Sequence, residues 1–252
     1  MWKRLDPNLP NKIKNKIENN RKKRKNGRRK TEIHYMPVPR SRTTRKDNKR
    51  YIKEIRARNK KLITKYPWLA TRDWKTGLPE DNRYRYISLW DEIPEGWIRA
   101  FGEQMCDEIE AALEEDNIQN DVYVEQAKEK YGQLRIYMSG NTKSLNIIDI
   151  YSRISENVCC NCGRPHVPMM NFSWISPYCK NCFLKLQKKH EGFYKGEYEK
   201  YAPEDKSEWR IPNELKWTRF SKDGNETITV DISNYVKAIE QRWNERNPDD
   251  PV

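Results

Sequence analysis

The chain has 252 residues, of which 35% are hydrophobic and 35% are charged, and its formal net charge at pH 7 is +13. This composition favours a small core with extended arms over one large globule. No apolar run reaches the ~18 residues that a membrane span needs, and the amino-terminal residues lack the apolar region of a secretory signal. We therefore expect a cytoplasmic protein that is neither secreted nor membrane-spanning.

The positive charge is concentrated near the amino terminus. Residues 1–66 contain 25 Lys/Arg and 5 Asp/Glu, whereas residues 67–252 contain 25 Lys/Arg and 32 Asp/Glu. Because like charges repel and apolar anchors are few, residues 1–46 are predicted to form a disordered basic arm. Residues 47–66 repeat apolar side chains at helical spacing opposite a Lys/Arg face, which predicts a basic amphipathic helix.

Residues 67–157 are predicted to form an α+β body of helices and a hairpin. An aromatic, turn-rich stretch leads into a helix from Pro94 to about Asn117 with an apolar stripe and a separate acidic stripe. The acidic stripe consists of Glu103, Asp107, Glu110 and Glu114. Apolar and polar side chains alternate at both ends of residues 121–139. This pattern favours a β-hairpin that turns near Tyr131-Gly132, with a helix over 121–130 as the alternative. A short helix follows at about 144–157.

Residues 158–190 carry two CxxC pairs, Cys159/Cys162 and Cys179/Cys182, with the spacing of a metal site. In a chain without a secretory signal, such clustering favours metal ligation over disulfides. Four thiolates at about 2.3 Å suit a tetrahedral zinc ion, and a site closed by four protein ligands is structural rather than catalytic. The sequence therefore predicts one structural Zn²⁺ as the cofactor.

The order of elements around these cysteines indicates a treble-clef or ribbon module. The spacer predicts a hairpin with Phe172, Trp174 and Tyr178 on one face, and the second pair begins a helical stretch. Cys160 competes with Cys159 for the first position, although the CxxC register with Cys162 selects Cys159. His166 is a further candidate ligand, but a lone histidine in a hairpin is more often a bystander. Cys106, on the apolar side of its helix, is predicted to be a core thiol.

Residues 191–252 are predicted to contain a charged linker, a hairpin and a final helix. Asp223-Gly224 separates two runs in which apolar and polar residues alternate, a pattern that predicts a β-hairpin. The final helix is predicted at about 233–246.

The segments EKYGQLRIYMSG (129–140) and GWIRAFGEQMCDEIEAAL (96–113), followed by the two CxxC pairs, resemble a scattered family of small phage and bacterial proteins. These proteins share a "KEK[FY]GxLRxY" strand, a short helix and a four-cysteine zinc module. The resemblance covers roughly residues 66 to 185. It implies zinc bound by the same four cysteines and a phage or bacterial origin, but no activity.

The preferred function is association with DNA or RNA. Residues 157–190 contain no acidic residue and five basic ones, and the basic arm adds enough charge for many phosphate contacts. Aromatic residues in the module, Phe172 among them, are candidates for stacking on unpaired bases. The candidate contact residues are Arg21, Lys22, Lys23, Arg24, Lys25, Arg28, Arg29, Lys30, Trp174 and Lys185.

The alternative is a protein-interaction or structural factor, such as a phage accessory or virion-associated protein. Its acidic helix, residues 97–114, would dock a basic partner or fold back against the arm. We do not expect an enzyme, because the three histidines are well separated and no nucleotide-binding or hydrolase motif is present. A nuclease on a treble-clef scaffold would need a histidine pair or a His–Asn arrangement that is missing here.

Overall fold

The computed structural model describes residues 57, 61–70, 92–172, 174–190, 195–221 and 224–252, with side chains given for all of these except 218–226. The described residues form an α+β fold of helices and small antiparallel sheets. The basic arm lies outside the described residues, as do the candidate contacts from Arg21 to Lys30. Of the predicted helix over 47–66, Ala57 and residues 61–65 are described and helical.

After the helical residues 61–65, five α-helices follow one another in the described part of the chain. No helix among the described residues is both long and apolar enough to cross a membrane. Short 3₁₀ helices occur at Pro67–Leu69, Tyr198–Lys200 and Lys206–Trp209. The α-helices are α1 (Glu95–Trp97), α2 (Glu103–Glu114), α3 (Thr142–Ser155), α4 (Lys180–Lys189) and α5 (Ser233–Arg246).

The strands form three separate antiparallel hairpins among the described residues. The two hairpins predicted around Tyr131-Gly132 and Asp223-Gly224 are both confirmed. The strands are β1 (Val124–Lys130), β2 (Gln133–Met138), β3 (Met169–Asn171), β4 (Ile175–Pro177), β5 (Glu214–Ser221) and β6 (Gly224–Asp231).

The main core is built on the predicted apolar stripe of the helix that begins near Pro94. A π-helical turn, Ile98–Gly102, joins α1 to α2. The stripe is buried along its length, and Phe101 stacks on Tyr151 of α3 with ring centroids 5.2 Å apart. Cys106 is fully buried in this core, as predicted, and burial raises its pKa well above the usual range of a thiol.

The β1–β2 hairpin turns through two residues with positive φ, Tyr131 at 54° and Gly132 at 76°. Two such residues are the signature of a type I′ turn, whose twist matches that of the flanking strands. Ala127 and Leu134 lie on the face that packs into the core. The opposite face carries Lys128 paired with Arg135.

Helix α3 covers the free edge of β2 through two serine side chains. The backbone N–H of Leu134 donates to Ser155 Oγ at 2.8 Å, and Ser152 Oγ donates to the Leu134 carbonyl at 2.7 Å. Both hydrogen bonds are buried, so these hydroxyls take the place that a third strand would occupy. The serines join the hairpin to the helical core.

The segment after residue 190, predicted to be a linker, is packed where it is described. Tyr198 is buried against Phe183 with ring centroids 5.7 Å apart, and Trp209 meets Tyr198 edge-on at 5.9 Å. Ile211 is buried in the main core. Within the stretch assigned to a linker, Tyr198 thus finds an aromatic partner on α4, and Trp209 and Ile211 pack elsewhere in the fold.

We expect Ser155→Ala to lower the free energy of unfolding by about 1–3 kcal/mol, since it leaves a buried backbone N–H without an acceptor. Chemical denaturation monitored by circular dichroism measures the change. Ser139→Ala, at an exposed serine just after β2, is the matched control and should change stability little. Equal stability of the two variants would show that Ser155 does not hold the β2 edge.

Candidate metal centre

The four cysteines of the two CxxC pairs converge in the folded chain. Their sulfur atoms all lie within 4.8 Å of one another, and all four residues are buried or half-buried. The sulfurs therefore could hold a metal ion, as the spacing in the sequence predicted. We call residues 158–190 the four-cysteine module.

The first pair is placed by a tight backbone knuckle. An isolated bridge between Val158 and Pro165 closes the loop, and the Cys159 N–H donates to the Arg164 carbonyl at 2.8 Å. The Gly163 N–H donates to the Cys159 carbonyl at 2.9 Å, and Gly163 has a φ of +85°, a value that favours glycine. The chain thus reverses and leaves both cysteine side chains on one side.

The second pair is placed by the end of a hairpin and the start of a helix. Strands β3 and β4 pair over three residues each, and Cys179 follows β4 at the N-cap of α4. Cys182 lies in the first turn of this helix. The partial positive charge of a helix amino terminus stabilises thiolates at these positions.

The donor set fits a tetrahedral metal ion with soft ligands. A tetrahedron with metal–sulfur distances of about 2.3 Å has edges of about 3.8 Å, and Cys162 Sγ and Cys179 Sγ are 3.7 Å apart. All six cysteines are free thiols, so disulfides do not explain the cluster. Asn161 Nδ2 donates to Cys182 Sγ at 3.1 Å, a supporting hydrogen bond that no feature of the sequence predicted.

Hydrogen bonds among the four thiols give them different pKa values. Hydrogen bonds from Cys162 and Cys179 lower the pKa of Cys159, whereas the contact with Cys159 raises the pKa of Cys162 and of Cys179. Four adjacent thiolates would repel one another strongly without a cation. A divalent cation that binds here replaces the shared protons with its own charge.

The structure separates Cys160 and His166 from the sulfur cluster. Cys160 packs against the main core, and burial raises the pKa of its thiol. The Nδ1 atom of His166 accepts the Ile211 N–H at 3.2 Å, so its Nε2 carries the proton and donates to Glu240 Oε1 at 2.7 Å. His166 therefore links the module to α5 and does not face the sulfurs.

The knuckle also contacts the main core directly, backbone against backbone. The Gly96 N–H donates to the Cys160 carbonyl at 2.9 Å, and Trp97 Nε1 donates to the Val158 carbonyl at 2.8 Å. A Cβ atom on Gly96 would lie 2.2 Å from the Cys159 carbonyl oxygen, and one on Gly163 would lie 2.5 Å from the Gly96 oxygen. Only glycine allows this approach.

An aromatic cluster lies beneath α4 on the other side of the module. Phe172 and Tyr178 have ring centroids 6.0 Å apart, and Phe172 is 5.6 Å from Phe183. The predicted grouping of Phe172 and Tyr178 is thus present, and Phe172 is partly buried by these contacts. Trp174, expected on the same face, is instead 54% exposed at the β3–β4 turn.

The two candidate nucleic-acid contacts among the described residues are both accessible. Lys185 is exposed on α4, and the Trp174 indole donates to Glu129 Oε2 at 3.2 Å beside the β1–β2 turn. Both residues thus lie at the surface of the four-cysteine module.

The acidic stripe of α2 is engaged by the chain itself. Lys65 Nζ lies 2.7 Å from Asp107 Oδ1, and the Tyr66 hydroxyl donates to the same oxygen at 2.6 Å. Trp68 Nε1 donates to Glu110 Oε2 at 2.5 Å. Burial opposes ionisation of Asp107, but the hydrogen bonds from Lys65 and Tyr66 lower its pKa overall. Residues 65–68 therefore already engage Asp107 and Glu110 of this stripe.

No protein-family model, curated protein or solved structure matches this chain. The resemblance to phage and bacterial proteins therefore stays a prediction.

We expect Cys162→Ser and Cys182→Ser each to lower bound metal and thermal stability, because each removes one of four sulfur donors. Elemental analysis of protein purified under reducing conditions and thermal unfolding measure the two effects. Cys160→Ala is the matched control, and it should keep the full metal content because its sulfur lies outside the cluster. Metal loss in Cys160→Ala with retention in Cys159→Ala would reverse the ligand assignment.

Gly96→Ala should destabilise the protein by about 1–3 kcal/mol or more, the cost that is typical of overpacked sites. The new methyl group would meet the Cys159 and Cys160 backbone, which cannot move without shifting the knuckle. Glu95→Ala, one residue earlier and exposed, should change stability by less than about 0.5 kcal/mol. Chemical denaturation compares the two, and a Gly96→Ala protein as stable as Glu95→Ala would contradict this close approach.

Proposed function

We propose that this chain is a zinc-stabilised, non-enzymatic protein of phage or bacterial type that associates with nucleic acid. In this proposal the basic arm and the four-cysteine module make the contacts, and the metal holds the module in shape. A four-thiolate site persists in a reducing cytoplasm, where we expect the protein to act. DNA and RNA share the phosphate chemistry on which the proposal depends.

Zinc is the proposed metal, and a treble clef the proposed type of module. Four sulfur donors at tetrahedral spacing suit zinc, with iron as the chemical competitor. A knuckle, a hairpin and a helix whose first turn carries the last ligands follow one another in treble-clef order. Iron in place of zinc in elemental analysis would contradict the first assignment.

The exposed lysine face of α4 is the observation that carries the nucleic-acid proposal. Lys180, Lys185, Lys188 and Lys189 are all exposed on this ten-residue helix. Among the described residues, Lys180 pairs with Glu199 at 2.8 Å, and no salt bridge engages the other three. Unpaired cations held on a rigid element are well placed to neutralise phosphates.

A binding role is favoured over catalysis by the chemistry of the site. Four protein sulfurs fill a tetrahedral ion's coordination sphere, so no position would remain for water or substrate. His166 is hydrogen-bonded on both ring nitrogens and serves as a structural link. The alternative, a protein-interaction factor acting through residues 97–114, is weakened because Lys65, Tyr66 and Trp68 already engage the acidic stripe.

We expect the intact protein to bind DNA or RNA with an affinity that falls steeply between about 50 and 200 mM salt. Deleting residues 1–46 should remove most of this affinity because the arm, with 17 Lys/Arg and 3 Asp/Glu, carries the chain's net excess of positive charge. In the full chain, Lys185→Glu/Lys188→Glu should also weaken binding. It should reduce the slope of log affinity against log salt concentration by about one for each phosphate that the variant no longer neutralises. Fluorescence anisotropy with labelled strands across a salt series measures both effects.

Lys216→Glu/Lys237→Glu is the matched control, since both lysines are exposed on the C-terminal hairpin and helix, outside the module. The control has the same net charge as the α4 double variant. If both double variants weakened binding equally, net charge rather than the α4 face would govern the interaction. If intact protein free of nucleic acid showed no salt-dependent binding, the proposed function would be wrong.

A further inference from the structure

Three aromatic side chains are exposed among the residues that the structure describes, and all three lie on two neighbouring hairpins. They are Tyr131, Tyr137 and Trp174, with exposed fractions of 63%, 46% and 54%. Single exposed apolar residues are common on protein surfaces and need no explanation. The confinement of every exposed aromatic ring of the described chain to β1–β2 and β3–β4 does need one.

The turn of the β1–β2 hairpin packs directly on the β3–β4 hairpin. A Cβ atom on Gly132 would lie 2.2 Å from Met169 Sδ and 3.3 Å from Pro177 Cδ, so the β1–β2 turn rests against β3 and β4. Glu129 fixes the junction, because its two carboxylate oxygens accept the Gly132 N–H and the Trp174 indole N–H. Trp174 is thereby held beside the turn that carries Tyr131, although Glu129 itself pairs with Leu134 on the core-facing side of the hairpin.

The solvent-facing side of the β1–β2 hairpin is basic, and we call it the basic face. Lys128 is paired with Arg135, and Lys130 lies two residues further along the same face. The ammonium group of Lys128 lies 5.5 Å from the centroid of the Tyr137 ring, and that of Lys130 lies 5.4 Å from the Tyr131 ring. Each exposed tyrosine of this face therefore has a cation beside it.

No salt bridge neutralises these three cations within the described part of the chain. Asp149 and Glu156 on the neighbouring helix α3 are near enough to interact with the charge of Arg135, but neither forms a salt bridge with it, and Glu156 pairs with Arg153 instead. The carboxylate of Glu129 is directed to the turn and to Trp174 instead. The basic face thus presents net positive charge to solvent.

Tyr131 occupies a backbone conformation that disfavours it. Its φ of 54° lies in the left-handed region, where asparagine or glycine is the preferred first residue of a type I′ turn. A bulky residue held in this region is destabilising, and its 63% exposed side chain recovers little through packing. An aromatic ring at this position therefore gains little from the fold and is accessible to a ligand.

We propose that the basic face and Trp174 together form a platform for single-stranded nucleic acid. Unpaired bases stack on Tyr131, Tyr137 and Trp174, while Lys128, Lys130 and Arg135 contact the phosphates between them. A duplex hides the faces of its bases, so the platform selects unpaired strands. This inference depends on the proposed nucleic-acid association and names the surface and the strand state that it uses.

The test compares binding of the full chain to a labelled single strand of about 16 nucleotides, as DNA and as RNA, and to the matching duplex. Wild-type protein should prefer either single strand to the duplex. Tyr131→Asn and Tyr137→Ala should each weaken single-strand binding about five- to 150-fold, with a smaller effect on duplex binding. Tyr131→Phe and Tyr137→Phe keep the ring and should retain affinity.

Stability measurements separate a ligand role from a folding role for Tyr131. Tyr131→Asn should unfold at the same temperature as the wild type or a higher one, because asparagine suits the turn. A lower unfolding temperature would show that the ring serves the fold and would overturn the inference. Leu145→Ala, at an exposed apolar residue of α3, is the control and should leave binding unchanged.

The outcomes distinguish this inference from the proposed function. Salt-dependent binding by the wild type with unchanged affinity in the Tyr131 and Tyr137 variants would overturn the platform and leave the function standing. Equal affinity for duplex and single strands would also overturn it. Absence of any binding by the wild type would remove both proposals, and the exposed rings would then indicate a protein partner. Photo-crosslinks from a halogenated uracil to Tyr131, Tyr137 or Trp174 would support the platform.

Discussion

The backbone contact between the cysteine knuckle and helix α1 is the constraint on which the rest of the structure depends. Gly96 and Gly163 approach so closely that neither position has room for a Cβ atom. The Gly96 N–H and the Trp97 indole both donate to carbonyls in residues 158–160. The four-cysteine cluster is therefore part of the main fold, since any movement of the knuckle displaces the start of the helix that carries most of the core.

This contact explains how a chain with few apolar residues maintains a fixed structure. The two CxxC pairs are separated by 16 residues in the sequence, yet their four sulfurs lie together in the fold. The knuckle that carries the first pair also contacts the main core, so the position of the cluster is fixed relative to that core. On the other side of the module, an aromatic cluster around Phe183 holds residues 198–209. A bound cation would stabilise the whole arrangement, because its binding free energy adds to the free energy of folding.

The four-cysteine module and the β1–β2 hairpin each have one buried face and one exposed basic face. Cys182 and Phe183 point inward from α4, while its lysines face solvent. Ala127 and Leu134 point inward from the hairpin, while Lys128 and Arg135 lie on its outer face. Both elements thus combine a rigid inner face with a basic outer face. That combination, together with the exposed aromatic rings at the junction, is the physical basis for the proposed association with nucleic acid.

Local patterns in the sequence were sufficient for many of the elements and for the clustering of the four cysteines. The cysteine spacing predicted the cluster, the apolar period predicted α2, and the residues flanking Tyr131-Gly132 predicted β1 and β2, because each signal lies within one short stretch of chain. The resemblance to phage and bacterial proteins and the nature of the basic arm remain predictions.

Tertiary structure alone decided the contacts between distant residues. His166 faces Glu240 rather than the sulfurs, and Lys65 and Tyr66 engage Asp107. Residues 198–211 contribute buried side chains to two hydrophobic clusters. No local period encodes such pairs, since their partners are tens of residues apart and their proximity depends on how all the elements pack. The same reason separates Trp174 from Phe172: the β1–β2 turn supplies Glu129 as a hydrogen-bond acceptor, and the indole remains at the surface beside it.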